Sequence, residues 1–315
     1  MKKFSTGEWW ALAAALSYLI QGLTLRAAAP TVDPIFGVAV VAMPTWMVSF
    51  IMVISNKKRR SQLSPDTDSF IGFNFLGKLA GAAAISYGVG NILWILALRE
   101  GGLTITIPAI QSTAVWGAVL GCIILKEKIT PQMMSGLGVF CLGLLFLGWG
   151  RTAVDIPGEG WKLALVFGVV AALCWSILSV CSRFVMLAGT DRFTVIFVAV
   201  TAGLILLNLI LWQRGTLNSW WNPPDEFIYL LIAGCCNVLA QVSLTTALSL
   251  TEVSSVNVIT ATGNAISPVF GFIIFLDPLN AVMVAGVVVV LVGAVVVQRG
   301  RVLKPAADLQ LSGDE

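Results

Sequence analysis

Residues 266–301 read ISPVFGFIIFLDPLNAVMVAGVVVVLVGAVVVQRGR. Between Ile266 and Gln298 the sole charged side chain is Asp277, and it stands in a short Leu-Asp-Pro-Leu break between two apolar runs. Each run is long and uncharged enough to belong to a bilayer-crossing helix, and Pro278 beside the acid stops one helix and lets the next begin. The same grammar appears earlier in the chain. Adding 150 to the residue numbers 121–151 carries Gly121-Cys122-Ile123-Ile124 onto Gly271-Phe272-Ile273-Ile274 and Glu127 onto Asp277. Gly136 and Gly143 fall on Gly286 and Gly293, and Gly150-Arg151 falls on Gly300-Arg301. A shift of 157 relates the starts of the two halves, with Ala14-Ala15-Leu16 on Ala171-Ala172-Leu173, Tyr18 on Trp175 and Arg26 on Arg183.

Extending this reading over all 315 residues gives ten apolar segments, at about 9–29, 35–54, 76–98, 103–125, 132–149, 163–187, 193–212, 227–249, 254–276 and 279–297. Composition agrees. The chain is 57% hydrophobic and 11% charged, with a mean hydropathy of +0.91. A soluble domain of this size carries about 25% charged residues, so most of this surface is expected to face lipid. Each half holds five segments, an odd number, and the second half must therefore enter the membrane upside down. The expected fold is an all-α integral membrane protein with ten transmembrane helices in two inverted five-helix repeats. The halves are expected at 7–151 and 161–301, followed by a cytoplasmic tail at 302–315.

The N-terminal run after Lys2 and Lys3 ends in Ala27-Ala28-Ala29, which mimics a signal-peptide cleavage site. Its counterpart in the second half argues that it is retained as a span. Fourteen of the 19 Lys and Arg fall on one side of the ten-span map, among them Lys57-Lys58-Arg59-Arg60, and five on the other (Arg26, Arg99, Arg151, Lys162 and Arg214). The positive-inside rule then puts both termini in the cytoplasm, with the chain in the inner (plasma) membrane.

Several chemistries are disfavoured. The chain has no His, which removes a Ser-His-Asp triad, an HExxH zinc site and a histidine proton relay. The six Cys lie in apolar runs without a CxxC and read as packing residues. No GxxxxGK[ST] motif is present for ATP. A net charge of +3 is too small for a nucleic-acid footprint. Neither enzymatic activity nor a cofactor is expected. The expected partners are a small-molecule solute and the lipid bilayer, with no nucleic acid; oligomeric state is not legible.

Polar side chains deep in a span are costly unless they pair or line a wet cavity. Tyr87 and Asn91, four apart, share one face of the third span. Asn237 and Gln241 occupy the equivalent positions of the eighth span. In the first span Tyr18, Gly22 and Arg26, and in the sixth Trp175, Ser179 and Arg183, run at four-residue spacing as a second symmetric pair of stripes, and Gln21 is a further candidate in the first span. Gln111, beside Pro108, and Asn264, near Pro268, are the candidates from the fourth and ninth spans. The ten residues other than Gly22, Arg26 and Arg183 are the expected substrate-binding set; the competing reading makes them hydrogen bonds between helices. Glu127 and Asp277 are expected as hydrated helix-end caps or gating groups, and Arg26 as a side chain reaching the interface.

The pattern Ser267-Pro268-Val269, then Asp277-Pro278-Leu279, then Gly286 and Gly293 resembles that of the EamA-type branch of the drug/metabolite transporter superfamily. The first half keeps Glu127, Gly136 and Gly143 but has Ala118 where the Pro would stand, and Asp277 replaces the usual Glu. The resemblance runs from about Trp9 to Arg301 and implies secondary transport by alternating access. A neutral or zwitterionic solute such as an amino acid or a small aromatic or drug-like metabolite is implied, moved outward as efflux. A membrane scaffold or receptor-like protein that moves nothing is the competing reading.

Overall fold

A computed structural model describes residues 6–63, 72–124, 130–152, 160–221, 224–250, 259 and 266–300. Among these the chain is helical throughout, with no strand. The first half contains α1 (Thr6–Ala28), α2 (Pro34–Ile54), the short basic α3 (Lys57–Ser61), α4 (Phe73–Ile85), α5 (Asn91–Ile110), α6 (Thr113–Ile124) and α7 (Pro131–Thr152). The second half contains α8 (Gly160–Leu187), α9 (Arg192–Gln213), α10 (Phe227–Leu250), α11 (Ile266–Phe275) and α12 (Ala281–Gly300). Among the described residues seven stretches are long and apolar enough to cross a membrane, and the 45-residue stretch Phe73–Gly117 carries both the third and fourth spans. With the shorter apolar helices α11 and α12 they form a ten-span, two-repeat membrane bundle.

The division between spans three and four is made by one residue. Gly102, inside α5, has φ +63 and ψ −168, a conformation that only glycine adopts readily. The sequence break Arg99-Glu100-Gly101-Gly102 is therefore a real break in direction, although the helix runs on either side of it.

Helix starts repeat across the halves. Asp33 caps α2 by accepting from Ile35 N–H at 2.8 Å, and Asp191 caps α9 by accepting from Phe193 N–H at 2.9 Å. Thr130 Oγ1 accepts from Met133 N–H at the start of α7, and at the matching start of α12 Asn280 Oδ1 accepts from Met283 N–H. A side-chain oxygen at these positions satisfies a backbone donor that the helix itself leaves orphaned.

The packing crosses the two halves. The first helix of each half lies along the third span of the other: α1 against α10, and α8 against α4 and α5. Meanwhile α2 packs on α9, and α7 packs on α12. The glycines of the sequence pattern explain the last contact. A Cβ on Gly286 would stand 2.8 Å from Leu147 N and 3.0 Å from Gly143 O, so the α7 and α12 backbones touch where side chains would hold them apart.

Asp277 departs from the expectation of a hydrated cap. Its side chain is 4% exposed and ion-pairs with Arg26, itself 16% exposed, at 2.8 Å between Oδ1 and Nη2. Its other oxygen accepts from Leu103 N–H at 2.7 Å. Arg26 correspondingly does not reach for the interface; its guanidinium turns inward to Asp277 and lies 5.6 Å from the Phe275 ring centroid. Glu127 and the side chain of Arg183, the repeat counterparts of this pair, lie outside the described residues.

Candidate functional site

The crossing of α1 with α10 and of α8 with α4–α5 brings the two sequence stripes to one place. Between them lies a cavity of about 560 Å³. Tyr18 and Gln21 enter it from α1, and Trp175 and Ser179 from α8. Asn91 stands on α5, Tyr87 just before it, and Asn237 and Gln241 on α10. Gln111 joins them from the turn between α5 and α6. Nine of the ten expected residues thus share one wall-to-wall space, and Asn264 lies outside the described residues.

Local backbone irregularity places several of these groups. At Ser86–Gly90 the third span widens into a π-turn, where Asn91 N–H bonds Ser86 O five residues back. Such single turns insert a residue and swing the helix face; they concentrate at functional sites. Here the turn adds Ser86 to the lining beside Tyr87 and Asn91. Pro108 removes a backbone donor near the end of α5, and the chain bends at Gln111–Ser112 before α6. Around this turn Ala109 O accepts from Ser112 N–H and, at 2.7 Å, from Ser112 Oγ, and Ile110 O accepts from Thr113 Oγ1 at 2.6 Å.

One cluster is geometrically well defined. Trp175 Nε1 donates to Asn91 Oδ1 at 2.7 Å, and the Trp94 ring meets the Trp175 ring edge-on with centroids 5.2 Å apart. This joins the first half to the second through one indole–amide hydrogen bond and one ring contact. Not every polar group is devoted to the space. Asn237 Nδ2 donates to Thr45 Oγ1 on α2 at 3.2 Å, an interhelical bond, and Ser179 Oγ donates to Trp175 O within its own helix at 2.8 Å. Gln21 is nearly fully buried at 4% exposure.

Electrostatically the lining is plain. It holds amides, hydroxyls, two phenols and two indoles, and no Asp, Glu, Lys or Arg among the described residues. Nor do the described residues contain a group of three or more His, Cys, Asp or Glu able to hold a metal. The sequence reading missed Trp94, Ser86, Thr113 and Ser267 in the lining. Trp94 had a signal, since Tyr87, Asn91 and Trp94 stand at i, i+4 and i+7 on one helical face.

A ten-span bundle of two repeats crossed around a central cavity, with no charged side chain among the described lining residues, has the architecture of a membrane carrier. The family model for EamA-like transporters matches residues 5–149 and again 162–299. The chain belongs to the EamA-like transporter family, and it is a multi-pass membrane transporter. A protein named as an uncharacterized transporter from Archaeoglobus fulgidus (strain ATCC 49558) is 22% identical over 213 residues, covering 67% of this chain and 71% of its own. A solved structure, titled only as the crystal structure of a protein, superposes with a TM-score of 0.57 at 15% identity. It covers 93% of this chain and 96% of its own, a likeness of fold.

Proposed function

We propose that the chain is a secondary transporter that carries a small neutral or zwitterionic solute, an amino acid or a small aromatic or drug-like metabolite, through the cavity by alternating access. The observation that carries this reading is the lack of charged side chains among the described lining residues. A cavity of about 560 Å³ suits a metabolite-sized ligand. With no fixed charge to neutralise a bare anion or cation, a solute of zero net charge meets the lowest desolvation cost. Trp94 and Trp175 supply flat apolar contact, while Asn91, Gln111 and Gln241 supply amide donors and acceptors. Tyr18, Gln21, Tyr87, Ser179 and Asn237 complete the proposed substrate-binding set on the described side, and Asn264 is retained from the sequence pattern.

The halves 7–151 and 161–301 are the units that rock against each other, with both termini cytoplasmic, the chain in the inner (plasma) membrane and export as the direction. No catalysis and no cofactor belong to this reading. Two of the amides also tie helices together, Asn237 through its bond to Thr45 and Asn91 through its bond from Trp175.

Counterflow in proteoliposomes tests the reading. Vesicles loaded with one unlabelled solute at a time from a panel of amino acids and small aromatics should accumulate the labelled solute saturably. The Asn91→Ala, Gln241→Ala double variant should lose that exchange. Absence of exchange across the panel in the unaltered protein would favour the scaffold.

A further inference from the structure

Asp277 is tied to residues that adjoin the cavity lining. Leu25 lines the cavity and the next residue is Arg26; Ile107 lines it one turn from Leu103. Arg26 and Leu103 belong to the first half, Asp277 to the second. The carboxylate therefore bridges the two units beside the cavity lining, accepting from Arg26 through Oδ1 and from Leu103 N–H through Oδ2. The Leu103 donor is available because Gly102 has broken the helix just before it. A side chain at Gly102 would collide with the Asp277 carboxylate, so the break and the acid fit one another.

The residue before Asp277 carries a second mark. Leu276 has φ +56, the one non-glycine in the left-handed region among the described residues, and its side chain is 81% exposed. A leucine gains nothing from that conformation and keeps it only where neighbours over-determine the backbone. Here the neighbours are the contacts of Asp277, whose own N–H bonds Gly271 O at 3.2 Å. The strained turn aims the carboxylate inward.

Other ties at this end behave differently. Arg99 donates to Ala29 O and Val32 O at 2.7 and 2.6 Å, joining parts of the first half only. Thr31 donates to Glu226 across the halves, but in exposed positions. A desolvated ion pair is a poor adhesive compared with apolar packing of the same volume, yet it holds a definite geometry while both partners remain. That suits a contact which must be made in one state and released in another.

We propose that Asp277 is the latch of this end of the cavity, closed by Arg26 and Leu103 N–H in the state seen here and released as a unit when the cavity opens toward that end. The inference rests on the transport reading, because it concerns the same cavity and the same two units.

The test is the reaction rate of a cysteine placed at Ile107 with a membrane-impermeant thiol reagent, applied from each side of sealed vesicles. The full-length chain without the reporter supplies the background from its six native cysteines. Asp277→Asn, which keeps the shape and an acceptor for Leu103 N–H, should raise labelling from the Arg26 side by roughly tenfold and lower it from the opposite side. Arg26→Gln should do the same, and the two together should add little, since they break one contact. Unchanged labelling from the Arg26 side overturns the latch. So does a rise from both sides at once, which reports a loosened bundle; thermal unfolding of the same variants identifies it. Solute exchange is measured separately. Exchange that persists with unmoved labelling sinks the latch and spares the transporter, whereas a reciprocal labelling shift without exchange of any solute sinks the transporter and spares the latch.

Discussion

The α7–α12 contact and the cavity wall lie in one bundle but are made of opposite materials. At α7–α12 backbone meets backbone over Gly143, Gly286 and Gly293, with Phe140, Leu147, Met283 and Val290 buried alongside. At the cavity the helices are interrupted by a π-turn at Ser86–Gly90, by Gly102 and by Pro108, and they carry amides and hydroxyls. Regular, close-packed helices have one arrangement; broken helices with locally satisfied carbonyls have more than one. On the proposed mechanism the first region is the fixed support and the second is where shape changes.

The largest effect that would break this comparison comes from Gly286→Leu. With Leu147 N and Gly143 O already in contact range, the added side chain should force α7 from α12 and cost about 3 kcal/mol or more. A thermal unfolding midpoint in detergent close to that of the unaltered protein would contradict the support role.

Trp175→Phe should act in the reverse sense. It keeps the ring contact with Trp94 but removes the 2.7 Å bond to Asn91. Stability should fall by only about 1 kcal/mol, while counterflow should drop roughly tenfold because the amide loses its fixed orientation. Equal losses of stability and exchange would make the bond mere helix adhesion.

Pro108→Ala restores a backbone donor at the bend. Exchange should slow several-fold with the unfolding midpoint little moved or slightly raised, since the new helical bond gains about 1 kcal/mol. Faster exchange would remove the bend from the working parts.

The smallest effect is expected at the surface. Thr31 Oγ1 donates to Glu226 Oε1 at 2.6 Å, and that bond holds the Glu226 carboxyl below its ordinary value. A lowered value in the folded chain stabilises it at pH above the ordinary carboxylate range, and the contribution disappears as pH falls through the lowered value. Thr31→Ala should therefore lower the unfolding midpoint slightly at pH 7, by a difference that shrinks as pH falls through the lowered value. A larger gap at pH 3 would reverse the sign.

Much of the fold was legible because bilayer spans are long, uncharged and bounded by turn residues. The helices Pro34–Ile54, Arg192–Gln213 and Phe227–Leu250 lie within a residue or so of the segments read from sequence. The cavity face was legible where symmetry doubled the signal, as with Tyr87 and Asn91 against Asn237 and Gln241. What escaped required distance or irregular backbone. Ser86 lines the cavity from within a π-turn, a departure from the regular helical face that the residue spacing does not announce. Asp277 stands in a turn between apolar runs, and that position reads as hydrated. Its burial depends on Arg26, 251 residues away, and on a backbone donor released by Gly102. No local pattern encodes such a meeting.

The central claim is that an uncharged cavity selects uncharged solutes. Counterflow should be measured with pairs of solutes of matched size that differ in one ionised group, such as glutamine against glutamate. The account predicts saturable exchange of the neutral or zwitterionic member, with the member of net charge at least tenfold slower. Equal or faster exchange of the charged member would contradict it.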